Sequence, residues 1–460
     1  MDLFSCPDKK IKDSVHGYIS IPVVLFSSFI DTPHFQRLRR IEQTSMRSLY
    51  PSARHDRFIH SLGTFHLGQI AVTHLRDSDH DGILSDSMCR SFLIACLLHD
   101  CGHAPFSHTF ENCFGRPSKF RNLFQKLVPG ETLFLQDLGD SPDAKPHEYL
   151  SALIAIHVYS ESIRALDADP LLVARMIVGA KFAENRPENA LIELLNGRAI
   201  DVDKLDYVVR DIYLSGIKHA QVDIDRLLSS ILIKQDKSAY RICFRKTALS
   251  TVNSVVEVKN FLDQWVFSHH IVQYEQYMLK KCVAELACHL YSGENDDGAL
   301  EKLFNPNTYL NMEVEDFPKA DYPMLCDDDL VFLIKNNDLP HTDEWLFRQY
   351  RMKPLWKSYY EFKRLFTKNL SVSMNRIKRC LDEIFGDSQN YLIIEQTEQQ
   401  KVIEYHSLFI LMSEDDICAY EDLFDTISKT PNKFFYLFVK TTVDQELKTK
   451  AIKKLAELLG

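Results

Sequence analysis

The chain has 460 residues, of which 45% are hydrophobic and 26% are charged, and its formal net charge is −10. This length and composition are typical of a globular protein with a large core and two or three structural units. The negative charge argues against a broadly basic surface for duplex nucleic acid, and no stretch approaches the roughly 20 apolar residues of a membrane span.

The cysteine content indicates a reducing environment. The eleven cysteines are odd in number and form no Cys-x-x-Cys pair, and no apolar signal region opens the chain. Reduced thiols in the cytoplasm explain this pattern better than a disulfide framework or a zinc ribbon.

The first 56 residues predict a short strand or hairpin followed by two helices. Alternating residues in GYISIP favour the strand, and Pro33 suits the first turn of the second helix after a turn at Asp31. From Arg57 onward the apolar spacing predicts a helix on which Arg57 and His60, three residues apart, share one face. The segment RSFLIACLLHD then predicts a strongly apolar helix.

The stretch LLHDCGHAPFSHTFE, residues 97–111, concentrates histidines and carboxylates at the end of that helix. Adjacent residues on a helix point about 100° apart, so His99 and Asp100 can reach one ion only where the helix ends. Gly102 and Pro105 supply that end. Imidazole and carboxylate together suit Mn, Mg, Fe, Zn or Ni better than a thiolate site would.

The following segments are less distinctive. Residues 112–146 predict an irregular lid or binding loop. A helix begins at Pro146, where a charge preference at helix starts explains Glu148 as well as a functional role does. Residues 170–300 predict a nearly all-helical region, in which Asp203, Tyr207 and the pair Arg210/Asp211 share one face, as on a solvated helix or in a site.

Residues 301–460 change character, with proline and asparagine punctuation and strand candidates near residues 391 and 434. The last segment, DQELKTKAIKKLAELLG, predicts an amphipathic helix. We therefore expect a mainly α fold: a catalytic core over residues 1–300, and a smaller mixed α/β region over residues 301–460 with a regulatory or oligomerising role.

The ordered set of His60, the pair His99-Asp100, and Asp203 resembles the H…HD…D ligand set of the HD-domain phosphohydrolases. Five blocks, DTPHFQRLRRI, RFIHSLG, HDCGHAPFSHTFE, HEYL and IDVDKLDYVVRD, resemble consecutive blocks of the deoxynucleoside triphosphate triphosphohydrolases in that superfamily. The likeness covers roughly residues 9–290 and extends to the animal enzyme with a sterile alpha motif and its bacterial relatives, although this chain leaves no room for that motif domain.

The resemblance implies a role for each matched residue. The metal ligands are His60, His99, Asp100 and Asp203. Around the scissile phosphate it implies a general acid, His108, tuned by Glu111, and a polar wall of His103, His147 and Glu148. The triphosphate is assigned to Arg57, Lys204 and Tyr207, and the sugar 3′-hydroxyl to Asp211 with Gln43. The chemistry agrees, since a metal activates water and histidine can protonate an alkoxide leaving group.

Five positions depart from the family pattern. Glu111 stands where aspartate is usual, and Thr44 follows Gln43 where an aliphatic residue is common. Phe267, with Ser268, occupies a substrate position that often carries tyrosine and glutamine, and Asp263 replaces a basic or neutral residue. Because phenylalanine has no hydroxyl, the preferred base and the choice between deoxyribose and ribose are left open.

A second set of residues matches the block that forms a regulatory nucleotide site at subunit contacts in the family: Lys9, Lys10, Asp31, Gln36 and Arg39. The same block could serve only as a structural helix start. We therefore expect a divalent metal cofactor, a dNTP substrate, an activating nucleotide and a homo-oligomer of two, four or six subunits, and we expect neither membrane nor nucleic-acid binding. The alternatives are another HD phosphohydrolase, such as a nucleotide phosphatase, phosphodiesterase or nuclease, and a nucleotide sensor without turnover.

Overall fold

The computed structural model describes residues 7–114, 117–128, 130–139, 144–218, 222–236, 239–310, 321–322, 324–366, 372–397, 407–414, 416–424 and 433–459. The described chain is mainly α-helical with three small sheets, which confirms the predicted fold class. None of its helices combines the length and the apolar character needed to cross a bilayer.

The predicted N-terminal hairpin is confirmed. Strands Asp8–Asp13 and Gly17–Pro22 pair antiparallel, and Gly17 adopts a positive φ of 78° where the chain leaves the turn. The two helices expected next are reduced to short turns, namely Val23–Leu25, a π-turn at Phe26–Ile30, Pro33–Gln36 and the 3-10 turn Arg37–Arg40.

A bundle of helices forms the core that carries the predicted site. Asp56 caps the first long helix by accepting from the amide of Ile59, and Asp201 caps a later one through the amide of Lys204. The helices of this region are Arg57–Asp77, Asp86–Leu98, Pro117–Leu127, Thr132–Gly139, Pro146–His157, Ser160–Ala165, Pro170–Val178, Glu188–Leu195, Val202–Ser215, Ile224–Leu228, Leu249–Phe261 and His270–Leu290. Shorter 3-10 turns lie at Ser45–Ser48, Ser107–Thr109, Glu111–Phe114 and Lys246–Ala248, and a π-turn lies at Leu262–Phe267.

The prediction of an irregular loop in this region is wrong. The segment 112–146 contains the helices Pro117–Leu127 and Thr132–Gly139, and residues 115–116, 129 and 140–143 lie outside the described part. Buried apolar residues recur at helical spacing in both: Phe120, Leu123 and Phe124 in the first helix, and Phe134 and Leu138 in the second. Residues 170–300 are largely helical, as expected, and two strands interrupt the helices.

The strands Ile231–Asp236 and Ala239–Arg245 pair antiparallel and begin a four-stranded sheet. The second of them also pairs in parallel with Phe409–Ser413, which in turn pairs with Asp416–Ala419. Because strand pairing joins segments on both sides of residue 300, the C-terminal region shares a sheet with the first 300 residues. The division near residue 300 stays a proposal.

The C-terminal region contains the predicted strands and the predicted last helix. Strand Lys433–Lys440 lies between Met352–Pro354 and Tyr391–Thr397, and its residues Phe434 to Val439 are all buried. The helices are Asp296–Leu303, Asn307–Leu310, Asp327–Asn336, Thr342–Leu346, Tyr359–Leu365, Met374–Phe385, Tyr420–Leu423 and Gln445–Leu459, with a 3-10 turn at Ser388–Asn390. One hydrophobic cluster extends from Ile19 to Leu459, so both regions are packed around continuous apolar contacts.

Candidate active site

A cavity of about 510 Å³ opens where the helices Arg57–Asp77 and Val202–Ser215 face the loop that follows Leu98. Its wall includes all six residues that the family resemblance assigned to substrate: Gln43, Arg57, Lys204, Tyr207, Asp211 and Phe267. The predicted ligands His99, Asp100 and Asp203 lie on the same wall. The fold thus brings segments far apart in sequence into one polar cavity.

The four predicted metal ligands converge on one point. The Nε2 atom of His60 lies 3.0 Å from Asp203 Oδ1 and 3.5 Å from Asp100 Oδ2. The Nε2 atom of His99 lies 3.4 Å from Asp100 Oδ1 and 3.6 Å from Asp203 Oδ1. The donor atoms of His60, His99 and Asp100 lie within 4.8 Å of one another, a spacing that one divalent ion can bridge with modest movement.

Hydrogen bonds on the far side of both imidazoles orient them toward that point. His60 Nδ1 lies 2.7 Å from Asp206 Oδ2, and His99 Nδ1 donates to the carbonyl of Cys96 at 2.9 Å. Because a carbonyl only accepts, the proton of neutral His99 is on Nδ1 and its Nε2 lone pair faces the ligand set. Among the described residues, neither buried Nε2 atom has a hydrogen-bond partner. These residues therefore fit a metal ion.

The charges of the site favour a cation at the same point. Burial opposes a charged imidazole, but the nearby carboxylates of Asp203, Asp206 and Asp100 outweigh it and raise the pKa of His60 to about 10. Burial also opposes ionisation of Asp100, but Arg57 and the nearby histidines hold the pKa of that carboxyl well below its usual range. In a site of ionised carboxylates, a divalent metal and a proton compete for the His60 nitrogen.

A second group of histidines surrounds the carboxylate of Glu111. The carboxylate accepts from His108 Nδ1 at 2.9 Å and from His147 Nδ1. The ring of His147 stacks on the buried ring of His103 with centroids 3.8 Å apart. Each imidazole of His103, His108 and His147 has a nitrogen within 4.8 Å of the others, so the predicted acid and the two histidines of its polar wall form one cluster.

His108 lies at the mouth of the cavity, with about half of its side chain exposed. Desolvation by the surrounding protein is stronger than the hydrogen bond to Glu111 and lowers the pKa of His108 to about 4. Burial opposes the charge of Glu111, but His147 and His108 lower its pKa below the usual range, so it stays an acceptor. Since Glu111 holds Nδ1, the Nε2 atom of His108 is left for a ligand.

Glu148 has a structural partner. Its carboxylate accepts from the backbone amide of Lys145 at 2.6 Å and so caps the start of helix Pro146–His157. It also lines the cavity, so a role toward substrate stays a prediction beside this capping role.

The residues assigned to the triphosphate are held by the same network. Arg57 donates to Asp100 Oδ2 at 2.8 Å and to Ser107 Oγ at 3.0 Å. Burial opposes the charge of Lys204, but Asp201 and Asp203 raise its pKa, so the side chain stays cationic. Burial raises the pKa of Tyr207, which keeps its hydroxyl neutral. The wall therefore presents two cations and a neutral donor to an anion.

Asp211 and Arg210 do not share a role, although we placed both on one face. Asp211 lines the cavity, and its Oδ1 lies 2.7 Å from Nε2 of the buried His55. Arg210 points to the opposite side and forms ion pairs with Asp206 and Asp13. The placement of Arg210 on the site face is wrong because its guanidinium compensates buried carboxylates behind the helix.

The residues that contact the outer nitrogen of His60 were not predicted from the sequence. Asp206 accepts from His16, from His60 and from Arg210, and it is fully buried. A signal was available for Asp206, which lies three residues after Asp203 on the same helix. His16 had none, because it lies in the hairpin turn 190 residues away.

Part of the cavity wall near Phe267 was also not predicted from the sequence. Gln273 and Gln276 from helix His270–Leu290 line the cavity, as does Lys259, whose Nζ lies 3.3 Å from Asp263 Oδ2. Lys259 therefore neutralises the unusual Asp263. Amide and charged groups at this end offer hydrogen bonds that an aromatic side chain cannot.

The five residues of the predicted regulatory set lie outside the residues that line this cavity. Arg39 donates to Gln36 Oε1 at 2.9 Å and stacks over the ring of Phe58 at 3.5 Å, and Lys9 lies over the ring of Phe26 at 4.3 Å. Lys10 is exposed on the first strand, and Asp31 is exposed at the turn before Pro33. Their nucleotide-binding role stays a prediction.

Comparison with known proteins agrees with this geometry. Residues 57–210 match the family model of the HD domain. Human deoxynucleoside triphosphate triphosphohydrolase SAMHD1 is 30% identical over 277 residues, which are 57% of this chain and 42% of that protein. The zebrafish protein of the same name is 29% identical over 272 residues, 58% of this chain and 43% of its own. The uncharacterized protein YwfO of Bacillus subtilis is 28% identical over 275 residues, 60% and 55% of the two chains.

The chain spans about half the length of the curated relatives it matches. A crystal structure of a hypothetical protein from Aquifex aeolicus superposes with a TM-score of 0.63 and 21% identity, covering 97% of this chain and 100% of that one, which shows a common fold. HD domains bind divalent metals. The ligand geometry and the matched residues together identify residues 57–210 as an HD domain, in a chain that is similar to the deoxynucleoside triphosphate triphosphohydrolases.

Proposed function

We propose that this protein is a metal-dependent phosphohydrolase that cleaves deoxynucleoside triphosphates into deoxynucleoside and inorganic triphosphate. The observation that carries the proposal is the convergence, on one cavity, of a four-residue ligand set, a histidine held by a carboxylate, and two cations. The named activity of the relatives that share these segments supports the choice of substrate.

His60, His99, Asp100 and Asp203 are the residues that would hold the metal ion. When bound, such an ion lowers the pKa of a water molecule and offsets charge on the reacting phosphorus. Asp206 and the Cys96 carbonyl keep the two imidazoles turned toward the ion.

His108 is the proposed proton donor. Water adds its oxygen to the α-phosphorus and gives up one proton to the solvent, from which His108 is later reprotonated, while the bond from that phosphorus to O5′ breaks. The proton on His108 Nε2 then passes to O5′, so the deoxynucleoside leaves as an alcohol and the three phosphates leave together. The low pKa of free His108 suits this role only with substrate bound, because an adjacent triphosphate favours the imidazolium form.

The remaining cavity residues bind the substrate in our proposal. Arg57 and Lys204 offset the triphosphate charge, and the Tyr207 hydroxyl donates a hydrogen bond. Asp211 accepts from the sugar 3′-hydroxyl, with Gln43 beside it. Phe267 packs against the base, while Lys259, Asp263 and Gln273 offer polar groups at the same end of the cavity.

The test is a product analysis with purified protein. Each of the four dNTPs and four NTPs is added singly and in mixtures, with Mn or Mg, and the products are resolved by ion-exchange chromatography. We expect metal-dependent release of inorganic triphosphate from dNTPs. Release of orthophosphate or pyrophosphate, or cleavage of monophosphates, cyclic nucleotides or nucleic-acid ends, would instead identify another HD phosphohydrolase, and binding without turnover would identify a sensor.

Our proposal also covers the assembly of the enzyme and its location in the cell. We propose a homo-oligomer activated by a nucleotide, since the predicted regulatory residues form a charged surface outside the cavity. We also propose a cytoplasmic location, where thiols such as those of Cys89, Cys96 and Cys101 remain reduced.

A further inference from the structure

Three consecutive aspartates begin the helix Asp327–Asn336, and each has a different contact. Asp329 accepts from the backbone amide of Cys326 at 2.8 Å and so caps its own helix. Asp328 is exposed and pairs with Arg40 at 2.6 Å. Asp327 is turned inward and is only 5% exposed. Its carboxylate therefore acts outside its own helix.

Both oxygens of Asp327 accept from backbone amides of the cavity wall. Oδ1 lies 2.6 Å from the amide of Phe106, and Oδ2 lies 2.9 Å from the amide of Glu42. Glu42 precedes the cavity residue Gln43, and Phe106 lines the cavity itself. One buried carboxylate thus joins two segments of the wall that are distant from it in sequence.

The loop that Asp327 holds has an unfavourable backbone. Phe106 and Ser107 have φ values of 57° and 53°, in the left-handed region that residues with a Cβ rarely adopt. Such a conformation persists only where the surroundings enforce it. The bond from the Phe106 amide to Asp327 and the bond from the Ser107 hydroxyl to the Glu42 carbonyl supply that restraint.

This loop connects directly to the proposed chemistry. Ser107 Oγ accepts from Arg57, and Arg57 in turn donates to the metal ligand Asp100. The next residue in the loop is His108. A change in the backbone at 106 and 107 would therefore move both the proposed proton donor and the cation beside the ligand set.

We propose that Asp327 is a positioning residue of the active site, whose carboxylate holds the loop 106–108 in the conformation that directs His108 and Arg57 to the cavity. The consequence for turnover rests on the proposed function, but the hydrogen bonds do not. The C-terminal region thereby completes a catalytic site whose other named groups all precede residue 300.

Asp327→Asn tests this with little change in size. An amide accepts through its oxygen alone, so one of the two backbone amides loses its acceptor and meets an N–H group. Asp328→Asn is the matched control, because it makes the same substitution in the same helix turn at an exposed position. Both full-length variants are compared with the wild type in metal content, thermal melting, dNTP hydrolysis, and hydrogen–deuterium exchange.

With Asp327→Asn we expect faster exchange confined to the peptides around residues 42 and 106, with metal retained. We expect kcat per bound metal to fall about 10- to 100-fold, the range in which small misplacements act. Asp328→Asn should match the wild type in hydrogen exchange and in kcat. The proposal is wrong if the loop of Asp327→Asn exchanges as slowly as that of the wild type. It is also wrong if Asp328→Asn loses as much kcat as Asp327→Asn does.

A measurement on the wild type keeps the inference testable if Asp327→Asn does not fold. Exchange resolved to single residues should show the amides of Glu42 and Phe106 protected far above neighbouring loop amides. If these two amides exchange as fast as exposed loop amides, the proposal is wrong. If the wild type hydrolyses no dNTP, the proposed function fails separately, and the exchange data alone decide the role of Asp327.

Discussion

At the scale of single residues, the orientation of each imidazole ring determines which of its nitrogens is available to a metal ion, and proximity to a carboxylate alone does not. His60 and His99 lie within 3.6 Å of Asp203, yet their Nδ1 atoms are already bonded elsewhere. Because the outer nitrogen is occupied, the inner one is left as a lone-pair donor. This distinguishes a ligand set from a cluster of ion pairs.

We predict that His99→Ala and Asp100→Ala each abolish turnover while the protein stays folded. Each substitution removes one metal donor but leaves the apolar core around the helix Asp86–Leu98 unchanged. Metal content by mass spectrometry should fall together with activity, and circular dichroism should not change. His157→Ala, at an exposed helix end, is the control. Full metal occupancy and normal rates in a double variant would show that the ligand assignment is wrong.

For His108→Ala we predict a loss of about 100-fold or more in kcat with the metal retained, the scale of a missing general acid. Simultaneous loss of metal would instead make His108 a ligand, together with His103 and His147.

The protonation of His108 gives an independent check. Its free-state pKa is about 4, so the ring is neutral near pH 7. A bound triphosphate adds negative charge and should raise this pKa. NMR titration of the His108 ring, assigned by comparison with His108→Ala, should show a higher pKa with a non-hydrolysable dNTP analogue than without it. An unchanged or lower pKa would contradict the proposed acid role.

At the scale of elements, the site depends on close packing between the helices Arg57–Asp77 and Val202–Ser215. Gly63 lies at their contact, where an added Cβ would be 1.9 Å from Asp206 Oδ1 and 2.5 Å from Arg210 Nη2. Both of those side chains are buried and hydrogen-bonded, so they cannot move aside freely. Gly63 is thus required by the carboxylate that orients His60.

We predict that Gly63→Ala destabilises the protein by roughly 1–3 kcal/mol, as overpacking of a core does. It should also weaken metal binding, because Asp206 must shift away from His60. The measurements are urea unfolding and metal titration. Gly139→Ala, at a helix end with no atom near the added Cβ, should change neither. Asp206→Asn should reproduce the weaker metal binding, by about 10- to 100-fold.

At the scale of the whole molecule, the C-terminal region belongs to the same packed body as the cavity. Strand Ala239–Arg245 pairs with Phe409–Ser413, and Arg37 donates both to the Leu325 carbonyl and to the carbonyls of Cys101 and His103. A shift of the C-terminal region can therefore displace, through Arg37, the loop that carries the proposed catalytic residues.

The last prediction concerns assembly. If Arg39 and its neighbours bind a nucleotide between subunits, that nucleotide should enlarge or tighten the oligomer, because it binds only the assembled form. Arg39→Ala should reduce nucleotide activation and leave the metal content unchanged. Arg40→Ala is the adjacent exposed control. Sedimentation velocity and dNTP hydrolysis, each with and without added nucleotides, provide the measurement. If no added nucleotide changes the size of the oligomer or the rate of hydrolysis, this surface has only a structural role.

The sequence predicted the mainly α fold, which the structure confirms, and the family resemblance named residues that the structure brings together around one cavity. The ligand residues occur in short stretches whose order and spacing are distinctive, and helical periodicity placed Asp203, Tyr207 and Asp211 on one face. Only the tertiary structure revealed the roles of His16, Asp206, Arg210 and Asp327. Their partners lie elsewhere in the fold, up to 285 residues away along the chain. Periodicity reports which face of an element is apolar, whereas a buried hydrogen bond between distant segments leaves no local pattern.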